Sequence, residues 1–121
     1  MSHYNLQIDG RSEQQRSSGV WLSTAAGSTG AIQSAGGKKL PFNSAQIQYM
    51  PRELFEGHGV KYKLRGGVLP PKQKIRVISQ MQEGAVYFDG AHMKSSLDYG
   101  DILAISPSRY DLRFIRFRPL N

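Results

Sequence analysis

The chain has 121 residues, a formal charge of +7 and no cysteine. That length makes a single domain with room for its own core, and the missing cysteines exclude disulfides and thiolate metal sites. No apolar run approaches the length of a membrane span, and the polar start Met-Ser-His-Tyr-Asn is not a secretion signal, so a soluble cytoplasmic protein without a membrane partner is expected.

Alternation with a period of two runs through the chain, and helical periodicity is nearly absent. Leu6 and Ile8 lead into Asp9-Gly10, a strong hairpin turn, and the polar return from Arg11 to Ser17 belongs at an edge or in solvent. Val20 to Ser23 carries apolar residues on both faces and reads as a covered strand. Ile47 to Met50 alternates until Pro51 ends the strand or places it at an edge. Glu53 to Gly59 is a polar connection. Val60 to Arg65 is the cleanest alternation and predicts a strand turned by Gly66-Gly67. Pro70-Pro71 interrupts regular structure before a strand from Lys74 to Ser79. Ala85 to Phe88 precedes a second turn at Asp89-Gly90. Ile102 to Ser106, apolar on both faces, belongs in the middle of a sheet. Leu112 to Phe114 and Ile115 to Phe117 each alternate but slip phase between Phe114 and Ile115, which predicts a bulge or sharp bend there. Residues 1–121 therefore read as one all-β domain, a two-sheet β-sandwich of about eight to ten short strands with one short helix.

The basic residues alternate with apolar ones: Lys61, Lys63 and Arg65 lie between Val60, Tyr62 and Leu64, and Lys74 and Arg76 flank Ile75. This is the solvent face of strands, and no basic run interleaved with aromatics marks a nucleic-acid surface. Acid–base chemistry is equally thin. His3, His58 and His92 share no metal-ligand spacing, and His58, between glycines, should be exposed. Asp9, Asp89 and Asp101 each adjoin a glycine, as turns require. No catalytic residue and no metal ligand is nominated.

The helix is expected within Gly19 to Gly37. This stretch begins as Val20-Trp21-Leu22, passes into small residues and hydroxyls, and closes on Gly36-Gly37. No acidic residue lies between Glu13 and Glu53. Ser28 or Thr29 can cap a short helix whose amides point back toward the strand end, and Gly36 can stop it in a left-handed conformation. Such a place can hold a phosphate or a nucleotide, and its small residues also suit a tight crossover. The residues alone leave both readings open.

Ser23-Thr-Ala-Ala-Gly-Ser-Thr-Gly-Ala-Ile-Gln-Ser-Ala-Gly-Gly37 resembles the Ser-Thr-Pro-Thr-Gly-Ser-Thr-Ala-Tyr-x-x-Ser-x-Gly-Gly signature of the NAD kinases. The order around it is also similar, with Asp9-Gly10 before the signature, and Asp89-Gly90 then Gly100-Asp101 after it. The resemblance implies the C-terminal all-β domain of that family, which supplies most of the NAD-binding surface. Phosphorylation of the adenosine ribose 2′-hydroxyl, which makes NADP, depends in the family on an N-terminal α/β domain with a Gly-Gly-Asp-Gly motif. This chain contains no such motif and no preceding Asn-Glu pair, so by itself it should not catalyse; ATP and Mg²⁺ are expected only with that other domain.

Carried over by position, the resemblance assigns NAD contacts to Thr29, Gly30, Ala31 and Ser34, reached through the loop of Thr24, Ala26, Gly27 and Ser28. Ser18 stands where the family has an aspartate, Ala31 where it has a tyrosine, and Ala25 where it has a proline. The missing carboxylate and ring remove contacts worth on the order of 1 kcal/mol each. Implied partners are NAD(H) or a related nucleotide, the N-terminal kinase domain, and a second copy of the chain through the β-domain, with Val20 to Leu22 buried between subunits. The alternative is a non-catalytic β-sandwich module for nucleotide binding or oligomerisation.

Overall fold

Asp9 and Gly10 both adopt positive φ, 46° and 80°, the backbone of a two-residue type I′ turn, and they join β1 (Ser2–Ile8) to β2 (Arg11–Ser17) in unbroken antiparallel register. The computed structural model describes residues 1–24, 31–34, 36–40, 46–88, 93–107 and 112–117. Its further elements are β3 (Gly19–Ser23), α1 (Ala31–Ser34), β4 (Ile47–Arg52), β5 (Gly67–Leu69), β6 (Ile75–Ser79), β7 (Ala85–Phe88), β8 (Met93–Ser96), β9 (Ile102–Pro107) and β10 (Leu112–Phe117), with a single 3₁₀ turn at Gly57–Gly59. The chain is all-β, as its alternation requires. The pairs Asp89-Gly90 and Ser28-Thr29 lie outside the described residues.

One sheet has the order β10-β9-β6-β1-β2 and a second the order β3-β4-β5, while β7 and β8 form a separate hairpin. Two sheets thus make the layers, and the hairpin is an addition to the expected pair. Tyr4, Leu6 and Ile8 of β1, Ile75 and Val77 of β6, and Leu103 and Ile105 of β9 meet Ile47, Tyr49 and Leu69 of the second sheet in one apolar core. Burial of each such side chain contributes about 1.5–3 kcal/mol relative to exposure. β9 lies between two strands, as its doubly apolar sequence demands. β10 pairs with β9 without interruption from Leu112↔Pro107 to Phe117↔Ile102, so the bulge expected at Phe114–Ile115 is absent. A phase slip in the apolar pattern needs no break in the ladder, because a strand can carry apolar residues at consecutive positions.

β2 is an edge strand, yet only half of it is solvated. Its inward residues Gln15 and Ser17 are fully buried. The Tyr4 hydroxyl donates to Gln15 Oε1 (2.9 Å) and lies 2.7 Å from Ser17 Oγ. Burial above all pushes the Tyr4 pKa up to about 12, against the opposing pull of the Ser17 bond. Residues 60–65 come to this polar edge. Tyr62 and Leu64 point inward, Val60, Lys61, Lys63 and Arg65 outward, so the alternation is real, but no strand forms. Side chains replace the ladder: Lys63 N–H donates to Glu13 Oε2 (2.8 Å), Leu64 N–H to Glu13 Oε1 (3.1 Å), and Gln15 Nε2 donates to the Leu64 carbonyl (2.7 Å). Burial alone would raise the Glu13 pKa. Bonds from Lys63 N–H, Gln15 and Leu64 N–H, with the Lys63 charge, together outweigh burial and hold the carboxyl below its ordinary value.

β4 is the central strand of its sheet and continues through Pro51 to Arg52. Ser18 N–H donates to the Arg52 carbonyl (2.8 Å), so Arg52 turns its polar backbone toward the β3 side. Strand alternation then turns Pro51 the other way, where the last pair with β5 is Tyr49↔Gly67. The proline therefore lacks an N–H only where no neighbour needs one.

Candidate functional site

The signature stretch leaves the second sheet at Ser23 and returns to it at Ile47. Between them stands α1, ended by a pair of bonds that its glycines make possible. Gly36, at φ 106°, donates its N–H to the Gln33 carbonyl (3.0 Å), and Gly37 N–H donates to the Ile32 carbonyl (2.8 Å). This is the Schellman closure, and the left-handed stop expected at Gly36 is in place. A Cβ on Gly37 would lie 2.7 Å from the Ile32 carbonyl oxygen and 2.9 Å from Gln48 Oε1, so the second glycine is fixed by close packing.

Gln48 secures the chain just after this closure. Lys38 N–H donates to Gln48 Oε1 and Gln48 Nε2 donates to the Lys38 carbonyl, both at 2.6 Å. A side-chain amide here pairs with one residue's backbone as a neighbouring strand would. Gln48 is buried, and so is Ile32 on α1. Helix α1 packs on β3, and Met50 Cε would lie 3.4 Å from a Cβ on Gly36. The described part of the signature stretch, α1 with Gly36 and Gly37, thus packs on the outer face of the β3–β4 pair, the face of Trp21, Ser23, Gln48, Met50 and Arg52. β3 has the core on one side and this segment on the other, which agrees with its doubly apolar sequence, although in its sheet it is an edge strand.

Trp21 Nε1 and Ser23 Oγ are buried on this face without a hydrogen-bond partner among the described residues. The Arg52 guanidinium lies 5.1 Å from the Trp21 ring centroid, within cation–π range. Beyond it, Ser18 Oγ donates to Glu53 Oε2 (3.2 Å), and Arg52 approaches Glu53 Oε1 at 3.9 Å. Glu53 has a positive φ of 51°, rare for a residue with a Cβ.

Of the nominated residues, Ser18 and Thr24 stand at opposite ends of β3, about 20 Å apart at the rise of a strand. Ala31 and Ser34 are the first and last residues of α1. Ala26, Gly27, Ser28, Thr29 and Gly30 lie outside the described residues, as does His92. His58 is exposed, as expected. Asp101 serves its turn: Asp98 N–H donates to its carboxylate (2.9 Å). Among the described residues no group of histidines and carboxylates gathers to hold a metal ion, and no helix is long and apolar enough to cross a membrane. Three residues of this face carried no sequence signal of their own. Gln48 occupies an alternate position that solvent could equally have claimed, and Arg52 and Glu53 reach Ser18 only through strand pairing.

Residues 1–117 match the family model described as the ATP-NAD kinase C-terminal domain. A probable NADH kinase of Oryza sativa subsp. japonica is 43% identical over 100 residues, covering 83% of this chain and 31% of the relative. An NADH kinase of Arabidopsis thaliana is 40% identical over 91 residues, covering 75% and 28%. The chain thus spans about a third of the length of the curated relatives it matches. The crystal structure of yeast NADH kinase complexed with NADH shares the fold, with a TM-score of 0.69 at 24% identity, over 98% of this chain and 33% of that one.

Proposed function

This chain belongs to the ATP-NAD kinase C-terminal domain family, and we propose that it supplies the NAD(H)-binding surface of an enzyme that phosphorylates the adenosine ribose 2′-hydroxyl to make NADP(H). The observation that carries this reading is the family match over residues 1–117, which takes in the whole Gly-Ser-Thr stretch in sequence. The fold and the local geometry support it. A Schellman-closed helix, Gly37 and the Gln48–Lys38 pair fix the C-terminal end of the segment against one face, which lowers the ordering cost of a ligand bound beside it.

In this reading Thr24, Ala26, Gly27, Ser28, Thr29, Gly30, Ala31 and Ser34 hold and orient the nucleotide, with Ser18 at the far end of β3. ATP and Mg²⁺ are held by an N-terminal domain of the same enzyme, where the phosphoryl group is transferred. The described residues of this chain offer Mg²⁺ no carboxylate cluster and take the part of binding. The two plant relatives are named NADH kinases, which makes NADH the first nucleotide to test. Addition of NADH or NAD should raise the melting temperature of the chain. The protein that carries it should convert NADH or NAD to NADP(H) in the presence of ATP; failure of that conversion ends the kinase reading.

The same surface supports assembly. β3 is an edge strand whose Val20, Trp21 and Leu22 are all half-exposed, and pairing with a second copy would cover them. The proposal is a cytoplasmic homo-oligomer joined through β-domains. Light scattering that finds only monomers at high concentration would remove this part.

A further inference from the structure

Ser18, just before β3, stands where the family has an aspartate, and the first acids met on either side of it in sequence are Glu13 and Glu53. Pairing of β3 with β4 brings the second of these back. Gly19 lies opposite Arg52, Ser18 N–H is bonded to the Arg52 carbonyl, and Phe55 N–H is bonded to the Arg16 carbonyl (2.8 Å). Glu53 is fixed between those two bonds. Its left-handed backbone is the kind of strain that persists only where flanking structure enforces it, and such strain gathers at ligand sites. The result is a carboxylate hydrogen-bonded to the serine that stands in the aspartate's place, and 75% exposed to solvent.

We infer that Glu53 supplies the carboxylate missing at Ser18, and that the Arg52–Glu53 end of the β3–β4 face receives the part of the dinucleotide remote from the signature loop. This rests on the proposed nucleotide-binding role of the chain. A dinucleotide extended along β3 from α1 passes Trp21 with its stacked Arg52 before it reaches Glu53. The guanidinium suits the diphosphate, and the carboxylate suits the hydroxyl and amide donors of the far nucleoside. The sign order along the face matters, because Glu53 would repel a phosphate placed beside it.

The test is a titration with NADH of the 121-residue chain and its variants, alongside thermal melts. Glu53→Gln keeps the shape and removes the charge; it should weaken NADH binding about tenfold. Adding Ser18→Asp to Glu53→Gln should restore affinity to within about threefold of the original. Glu53→Gly, which suits a positive φ, should raise the melting temperature and still weaken binding, a combination that a purely structural glutamate would not give. Unchanged affinity in Glu53→Gln, or failure of Ser18→Asp to rescue it, overturns the inference and leaves nucleotide binding standing. If the unaltered chain takes up no NADH, the nucleotide-binding reading itself falls, and this inference with it.

Discussion

Two segments outside the strands, 36–40 and 60–65, are fastened to strands by side chains, and they differ in the group that fastens them. At the signature segment the group is the neutral Gln48 amide, which donates to and accepts from Lys38. At the other it is Glu13, assisted by Gln15, and this fastening carries a charge. An amide holds equally at any pH, whereas a carboxylate holds only while ionised. The fastening that positions the proposed nucleotide loop is thus indifferent to acidity, and the sensitive one lies on β2, at the edge of the other sheet.

Gln48→Ala should have the largest effect. It opens a cavity and strands the N–H and carbonyl of Lys38, a loss of about 2–4 kcal/mol that thermal unfolding would read as a fall of roughly 10 °C or more. NADH affinity should fall in parallel, which separates this amide from the rest of the core. Tyr4→Phe comes next, at about 1–3 kcal/mol, because Gln15 and Ser17 each lose a buried partner.

The pH dependence of the same tyrosine sharpens the contrast. Its folded pKa, near 12, lies above the ordinary 10.0, so its contribution is complete below pH 10 and lost as pH rises from 10 toward 12. Unfolding midpoints in that window should fall for the original chain more steeply than for Tyr4→Phe.

Glu13→Gln should cost about 1 kcal/mol at neutral pH. Its folded pKa lies below the ordinary 4.5, so the stability it gives is present above that value and lost as pH falls through the folded pKa. The acid limb of a stability–pH curve should therefore flatten in Glu13→Gln and persist in any Gln48 variant that folds. Least of all, Glu56→Gln breaks the exposed pair with Arg65 on the outer side of the 60–65 segment, and denaturant midpoints should register under about 1 kcal/mol.

Much of the fold was legible because alternation and turn chemistry are local. Asp9-Gly10 needs two positive φ values and obtains them from the two residues best suited to give them. Gly36 and Gly37 foretold a helix stop for the same reason. Residues 60–65 show where locality fails: their alternation reports which side chains are buried, and says nothing about whether the backbone finds a strand or a glutamate to bond. The phase slip at Phe114–Ile115 misled in the same way, since an unbroken ladder accepts apolar residues on both faces. At the candidate site the strand, helix and glycine closure could be read in order. Glu53 could not, because its approach to Ser18 is created by pairing across more than thirty residues, and charge counted along the chain placed nothing acidic near the loop.

Pro51 has one more consequence. β5 stops short of the stretch of β4 beyond Tyr49, and Pro51 is buried there. Because the ring carries no N–H, β4 can run on past the end of β5 without stranding a buried donor.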